Sequence, residues 1–109
     1  MASRLTVDEL VDRMSRVQGL QLVDVRGPSE VAKGKVDGAQ EVPLARILDR
    51  LGELNPTAPT VVYCGSGYRS MVAASVMRSA GFKDVSDLIG GFSAWEQADR
   101  PVATALASH

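Results

Sequence analysis

Three short runs rich in β-branched and apolar residues, Gln21 to Val25, Thr60 to Tyr63 and Asp84 to Leu88, alternate with stretches of helical periodicity. That alternation constrains the fold more than any other feature. Runs this short and apolar suit strands buried on both faces better than helices. Parallel strands in turn need crossover connections, which helices supply. The helical stretches are legible one by one. Thr6 and Glu9 have capping-box spacing, and Val7, Leu10, Val11, Met14 and Val17 recur on one face until Gly19. Ser29 to Lys33 allows a short helix before Gly34. Leu44, Ile47, Leu48 and Leu51 trace another apolar face, entered near Pro43 and broken by Gly52 and Pro56. Val72, Ala73, Val76, Met77 and Ala80 make a further stripe, stopped by Gly81, and Ser93 to Glu96 repeats the capping-box spacing on a terminal helix that ends before Pro101. The expectation is an α/β fold: a central, mostly parallel sheet with helices on both faces.

A chain of 109 residues, 45% hydrophobic and 23% charged, fits one domain with one core, here residues 1–109 with a frayed tail from about residue 100. The formal net charge is −1 and the Lys and Arg residues are scattered, so no electrostatic footprint for nucleic acid or an anionic membrane is present. No apolar stretch approaches the roughly 20 residues that span a bilayer, and the first residues lack a signal-peptide core, which gives the expectation of a soluble, cytoplasmic protein. Cys64 is the only cysteine, so it can form neither an internal disulfide nor a Cys-rich metal site.

In an open parallel sheet, ligands sit outside the carboxyl ends of the strands, and that edge gathers Asp24 and Arg26, then Cys64, then Gly90 and Gly91. Cys64 opens the run Cys64-Gly65-Ser66-Gly67-Tyr68-Arg69-Ser70 between a strand and a helix. Gly65 and Gly67 permit positive φ, so successive amides can turn toward one point, and the helix end adds unpaired N–H groups and about half a positive charge. A thiolate at that point is expected to have its pKa lowered from about 8.5 into the range of roughly 3.5 to 7.5. The only histidine is His109, at the end of the tail, which argues against a Cys-His dyad. A lone cysteine is often inert core; two glycines and an arginine in the next five residues at a helix start favour an anion-binding loop instead. Asp24 and Arg26 read as a supporting pair that ties neighbouring loops together, and Trp95, Met71 and Met77 read as packing.

These residues resemble the rhodanese family of sulfurtransferases. The loop from Cys64 to Ser70 is similar to that family's Cys-x-x-Gly-x-Arg followed by Ser or Thr. Leu22-Val23-Asp24-Val25-Arg26 resembles its first signature strand, Gly34 with Gly38-Ala39 and Val42-Pro43 its Gly-His-Ile-x-Gly-Ala-x-x-Ile-Pro stretch, and Gly90-Gly91-Phe92-Ser93-Ala94-Trp95 its closing Gly-Gly-x-x-x-Trp. Lys35 stands where the family usually has His, and Glu41 where Asn is common. The resemblance implies the three-layer rhodanese-like fold and a ping-pong reaction. Cys64 would take a sulfane sulfur from thiosulfate, a polysulfide or a persulfide and pass it, as a persulfide, to cyanide, glutathione or a protein thiol. Cys64 is then the catalytic nucleophile, and Gly65, Ser66, Gly67, Tyr68, Arg69 and Ser70 form the substrate-binding loop. Arg69 fixes the loop and receives an anionic donor, and Ser66, Tyr68 and Ser70 shape the choice of donor and acceptor. No metal or organic cofactor is implied, and the partners are small sulfur-containing anions and thiols. The wording around Cys64 and the following Asp87-Leu88-Ile89-Gly90-Gly91 also resembles rhodanese domains fused to metallo-β-lactamase-like persulfide dioxygenases, which makes such a dioxygenase a candidate partner.

Two other readings compete. A cysteine phosphatase or arsenate reductase would use the same thiolate, but Cys64 and Arg69 enclose four residues where cysteine phosphatases enclose five, and no Asp flanks the loop as a general acid. A non-catalytic binding or regulatory module would have no need of the reactive thiol, both loop glycines and Arg69.

Overall fold

In the computed structural model, which describes residues 3–104, the three apolar runs become neighbouring strands in the middle of a five-stranded, all-parallel sheet. The strands are β1 (Ser3–Leu5), β2 (Gln21–Asp24), β3 (Gln40–Glu41), β4 (Thr60–Tyr63) and β5 (Val85–Leu88), in the order β1-β5-β4-β2-β3. The two edge strands, β1 and β3, escaped the sequence reading because they are too short to show a pattern. β1 lies directly before the Thr6 cap, and β3 falls in the segment read as loop around Gly38.

The period of two along each strand divides the core. Val61 and Tyr63 of β4 join Leu22, Leu88, Phe92 and Trp95 on one face of the sheet, with Val7 and Leu10 from α1 (Val7–Arg16). Val62 and Cys64 point the other way, into a cluster with Val23, Val25, Ile47, Ala73, Ala74 and Met77. The second face is covered by α4 (Tyr68–Ser79) and by a bent segment made of a 3-10 turn (Leu44–Arg46), α3 (Ile47–Arg50) and a second 3-10 turn (Leu51–Glu53). α2 (Pro28–Ala32) follows β2, and α5 (Gly91–Gln97) follows β5. The fold is the α/β sandwich expected, with both faces of a parallel sheet covered.

Helix boundaries differ where local contacts override periodicity. The Thr6 box forms as expected: Glu9 N–H donates to Thr6 Oγ1 at 3.2 Å, and Thr6 N–H donates to Glu9 Oε1 at 2.9 Å. Between Leu44 and Leu51, however, the tighter 3-10 turns change the angular step per residue, and Leu48, expected on the apolar face, is 73% exposed. Met71, read as packing, is exposed on α4, whereas Met77 is fully buried. α5 begins at Gly91, two residues before the Ser93 cap suggested by spacing, for a reason that belongs to the site.

The frayed tail expected from residue 100 is not what residues 100–104 do. Trp95 Nε1 donates to Pro101 O at 2.8 Å, and Lys35 and Ala103 exchange a pair of 2.8 Å backbone hydrogen bonds, so this segment is strapped against the start of the 35–39 turn. The rest of that expected tail, including His109, lies outside the described residues. Among the described residues, no helix is long and apolar enough to cross a membrane.

Tyr63 ties the sheet to the loop that follows α2. Its ring is fully buried, and its hydroxyl accepts a hydrogen bond from Val36 N–H at 3.1 Å. Burial first, and the neighbouring Asp24 carboxylate second, push the phenol above its ordinary pKa, so it stays neutral. Tyr63→Phe leaves the buried Val36 amide unpaired and is expected to lower stability by about 1–3 kcal/mol in chemical denaturation, with native secondary structure retained.

Candidate active site

The β2–β4 register sets Asp24 beside Tyr63, so the chain leaving β4 passes Asp24 and Arg26 as it enters the loop at Cys64. The carboxyl edge therefore collects the residues the sequence placed there. Arg26 is 5% exposed; its Nη2 donates to Asp24 Oδ2 at 2.7 Å and to the Gly34 carbonyl at 2.7 Å, and its backbone N–H donates to Asp24 Oδ1 at 3.0 Å. The guanidinium carbon also lies 4.2 Å from the Phe92 ring centroid. This pair ties the end of β2 to the loop that follows α2, through the Gly34 carbonyl.

Cys64 sits at the mouth of α4 with 1% of its surface exposed. Gly67 adopts φ +113° and caps the helix, a conformation open to glycine, and this turns its N–H toward the sulfur, where it donates to Cys64 Sγ at 3.1 Å. As a thiol, Cys64 Sγ donates to Ser70 Oγ at 3.6 Å and the Ser70 hydroxyl donates onward to Gly67 O at 3.3 Å; once the thiol ionises, the hydroxyl can turn to donate to the sulfur. Burial pushes the Cys64 thiol up, but the Ser70 hydroxyl and the amides of Ser70, Gly67 and Ser66 outweigh it, and the net displacement is below the ordinary thiol value. Among the described residues there is no histidine; the thiol is lowered by these hydroxyl and backbone dipoles, and Arg69 also interacts electrostatically with Cys64.

The loop's carbonyls are held from the opposite side. Phe92 N–H donates to Cys64 O at 2.7 Å and Ser93 N–H donates to Gly65 O at 3.0 Å. These are amides that the first turn of α5 leaves unpaired, and their capture of the loop explains why α5 starts at Gly91 and not at a Ser93 cap. The approach is close: a Cβ on Gly91, at φ +57°, would overlap the Cys64 carbonyl oxygen and stand 2.9 Å from the Gly65 carbonyl carbon.

Arg69 is placed by a residue that the sequence reading passed over. Its Nη1 and Nη2 donate to Glu30 Oε1 and Oε2 at 2.7 and 2.9 Å, joining the loop to α2. Glu30 also accepts from Gly27 N–H at 3.2 Å. The bond from Arg69 holds the Glu30 carboxyl down to about 2, with burial opposing. Because its folded value lies below 4.5, the pair's contribution is complete above about pH 4.5 and is lost as the pH falls through about 2. The available signal was an acidic residue in the first turn of a Pro-started helix at the same sheet edge. Arg4 was also passed over; it pairs with Asp87 at 3.1 Å, close behind Gly67. Of the remaining loop residues, Ser66 and Tyr68 are exposed, Tyr68 at 76%, and Gly65 is half-buried under the Arg69–Glu30 pair.

A cleft of about 340 Å³ opens beside the loop, lined in part by Arg26, Glu30, Lys33, Gly65, Ser93 and Glu96. A larger one of about 600 Å³, between α2 and the segment from Gln40 to Glu53, has no residue of the Cys64 loop in its wall. Of these two, the smaller reaches the Cys64 loop, at Gly65. Among the described residues, no three His, Cys, Asp or Glu side chains come together as a metal-binding group.

Two outcomes follow from this geometry. The ultraviolet absorbance of the Cys64 thiolate should rise with pH through a midpoint below that of a free thiol, and Ser70→Ala should move that midpoint upward. Gly91→Ala should destabilise the protein by more than about 2 kcal/mol in urea titration, since both a positive φ and a carbonyl overlap must be relieved.

Comparison with known proteins agrees with the architecture. The rhodanese-like domain profile matches residues 6–98. A protein named sulfurtransferase from Allochromatium vinosum is 31% identical over 102 residues, covering 94% of this chain and 95% of its own. The thiosulfate sulfurtransferase GlpE of Shewanella oneidensis is 36% identical over 95 residues, covering 87% and 93%. The solution structure of a rhodanese-like domain from Anabaena superposes with a TM-score of 0.86 at 28% identity, covering 100% of this chain and 84% of that one.

Proposed function

Because this chain belongs to the rhodanese-like domain family, we propose that it is a rhodanese-type sulfurtransferase in which Cys64 carries the transferred sulfur. The observation that carries the reading is the setting of Cys64 Sγ: it accepts from Gly67 N–H at 3.1 Å, and its pKa is lowered although it is buried. Reactivity is thereby supplied without an adjacent base.

In the first half-reaction the Cys64 thiolate attacks the outer sulfur of thiosulfate, a polysulfide or a persulfide. The bond from that sulfur to the rest of the donor breaks and the electron pair leaves with the donor remnant. The product is the Cys64 persulfide. In the second half-reaction cyanide, glutathione or a protein thiol attacks the terminal sulfur, and Cys64 departs as a thiolate. The first half-reaction needs Cys64 as a thiolate and the second releases it as one, so the amides of Ser66, Gly67 and Ser70 populate the nucleophile in the first and stabilise the leaving group in the second. Fixed dipoles suit this task because they need no proton transfer and little reorganisation. Arg69 and Glu30 hold the loop in shape, the Asp24–Arg26 pair supports it from beneath, and exposed Ser66 and Tyr68 meet the incoming donor or acceptor. We place the reaction in the reducing cytoplasm, where a lone thiol stays available. A persulfide dioxygenase would be a suitable partner for the sulfur so carried.

Intact-mass measurement tests the proposal. Incubation with thiosulfate or a persulfide should add one reducible sulfur atom to the wild type and none to Cys64→Ala. Absence of the added sulfur with every donor would favour a binding module, and hydrolysis of an aryl phosphate that disappears in Cys64→Ser would favour a phosphatase.

A further inference from the structure

Each arginine around the Cys64 loop is already matched by a carboxylate. Arg69 commits both terminal nitrogens to Glu30, at 2.7 and 2.9 Å. Arg26 holds Asp24 at 2.7 Å, and Arg4, whose Nη2 would stand 3.6 Å from a Cβ at Gly67, holds Asp87 at 3.1 Å. The other charged residues lining the adjoining cleft are Lys33 and Glu96, one of each sign. Positive potential is therefore concentrated in the amides and helix end next to Sγ, and a helix end acts only within about one turn. A second negative group arriving at the mouth finds balanced charge.

Such a distribution sorts sulfur donors by charge. Resting on the sulfurtransferase reading, we propose that Glu30, by occupying Arg69, makes the site selective for donors whose leaving group carries a single negative charge over the thiosulfate dianion. The favoured classes are alkyl persulfides and thiosulfonates. With a thiosulfonate anion, the Cys64 thiolate bonds to the outer sulfur, the sulfur–sulfonyl bond breaks, and a sulfinate with one charge departs, leaving the Cys64 persulfide anion. With an alkyl persulfide, the inner sulfur departs as a thiolate and the proton stays on the transferred sulfur. With thiosulfate the same step must expel sulfite, which carries two charges, into a mouth whose formal charges, Lys33 and Glu96 included, sum to zero. Glu30 acts here as a positioning residue: it touches no reacting atom, and Gly27 N–H holds it toward Arg69.

The test compares methanethiosulfonate with thiosulfate, which deliver sulfur from the same kind of sulfonyl centre but differ by one charge. Cyanide is the common acceptor and thiocyanate the readout, in the wild type, Glu30→Gln and Glu96→Lys. Wild-type kcat/KM should favour methanethiosulfonate, and freeing or adding one cation at the mouth should shrink that preference by about tenfold, an effect that fades with added salt. Glu96→Lys leaves the Arg69–Glu30 bond intact, so it carries the test should Glu30→Gln unfold. A preference that neither folded variant moves, while both donors turn over, overturns the inference and leaves the sulfurtransferase reading standing. Failure of both donors to load Cys64 overturns that reading, and this inference with it.

Discussion

The pair of hydrogen bonds from Phe92 and Ser93 amides to the carbonyls of Cys64 and Gly65 is the contact on which the rest of the site depends. It fixes which way the loop's peptides face. With the carbonyls drawn toward α5, the amides that follow are left to turn toward the sulfur, and Gly67 completes the turn at positive φ. The same contact satisfies the unpaired first turn of α5, so one arrangement meets two backbone requirements. It is possible because Gly91 has no Cβ; any other residue would collide with the Cys64 carbonyl.

Charge is handled on two scales. Close to Sγ, neutral dipoles from Ser66, Gly67 and Ser70 overcome the burial that would otherwise keep the thiol protonated. Farther out, the arginines around the loop are paired: Arg69 with Glu30, Arg26 with Asp24, Arg4 with Asp87. Dipoles favour a single negative charge at one point, whereas free cations would draw anions over a wider radius. Two of the pairs, Arg69–Glu30 and Arg4–Asp87, also join segments distant in sequence to the same sheet edge, whereas Arg26 and Asp24 lie two residues apart.

Much of this was legible beforehand because it is local. The three buried strands announced themselves through composition, the Thr6–Glu9 cap through spacing, and the Cys64 loop through two glycines and an arginine between a strand and a helix. At the site, where the reading missed, a distant partner decided the matter. Nothing near Arg69 in sequence says that Glu30, on another helix, will take both its nitrogens. Nothing near Ser93 says that its amide will be claimed by Gly65, and so the start of α5 was misplaced. Leu48 was misread because a change from α to 3-10 geometry rotates a side chain away from the core without altering the apolar pattern.

What the sequence alone determined is the class of fold and the choice of Cys64 as candidate nucleophile, since both follow from periodicity and from residue types within a few positions of one another. The tertiary structure decided which groups surround the Cys64 sulfur and how the nearby charge is balanced. Those depend on which atoms of β2, α2, β4, α4 and α5 meet at one edge of the sheet, and chain neighbours do not specify contacts made across it.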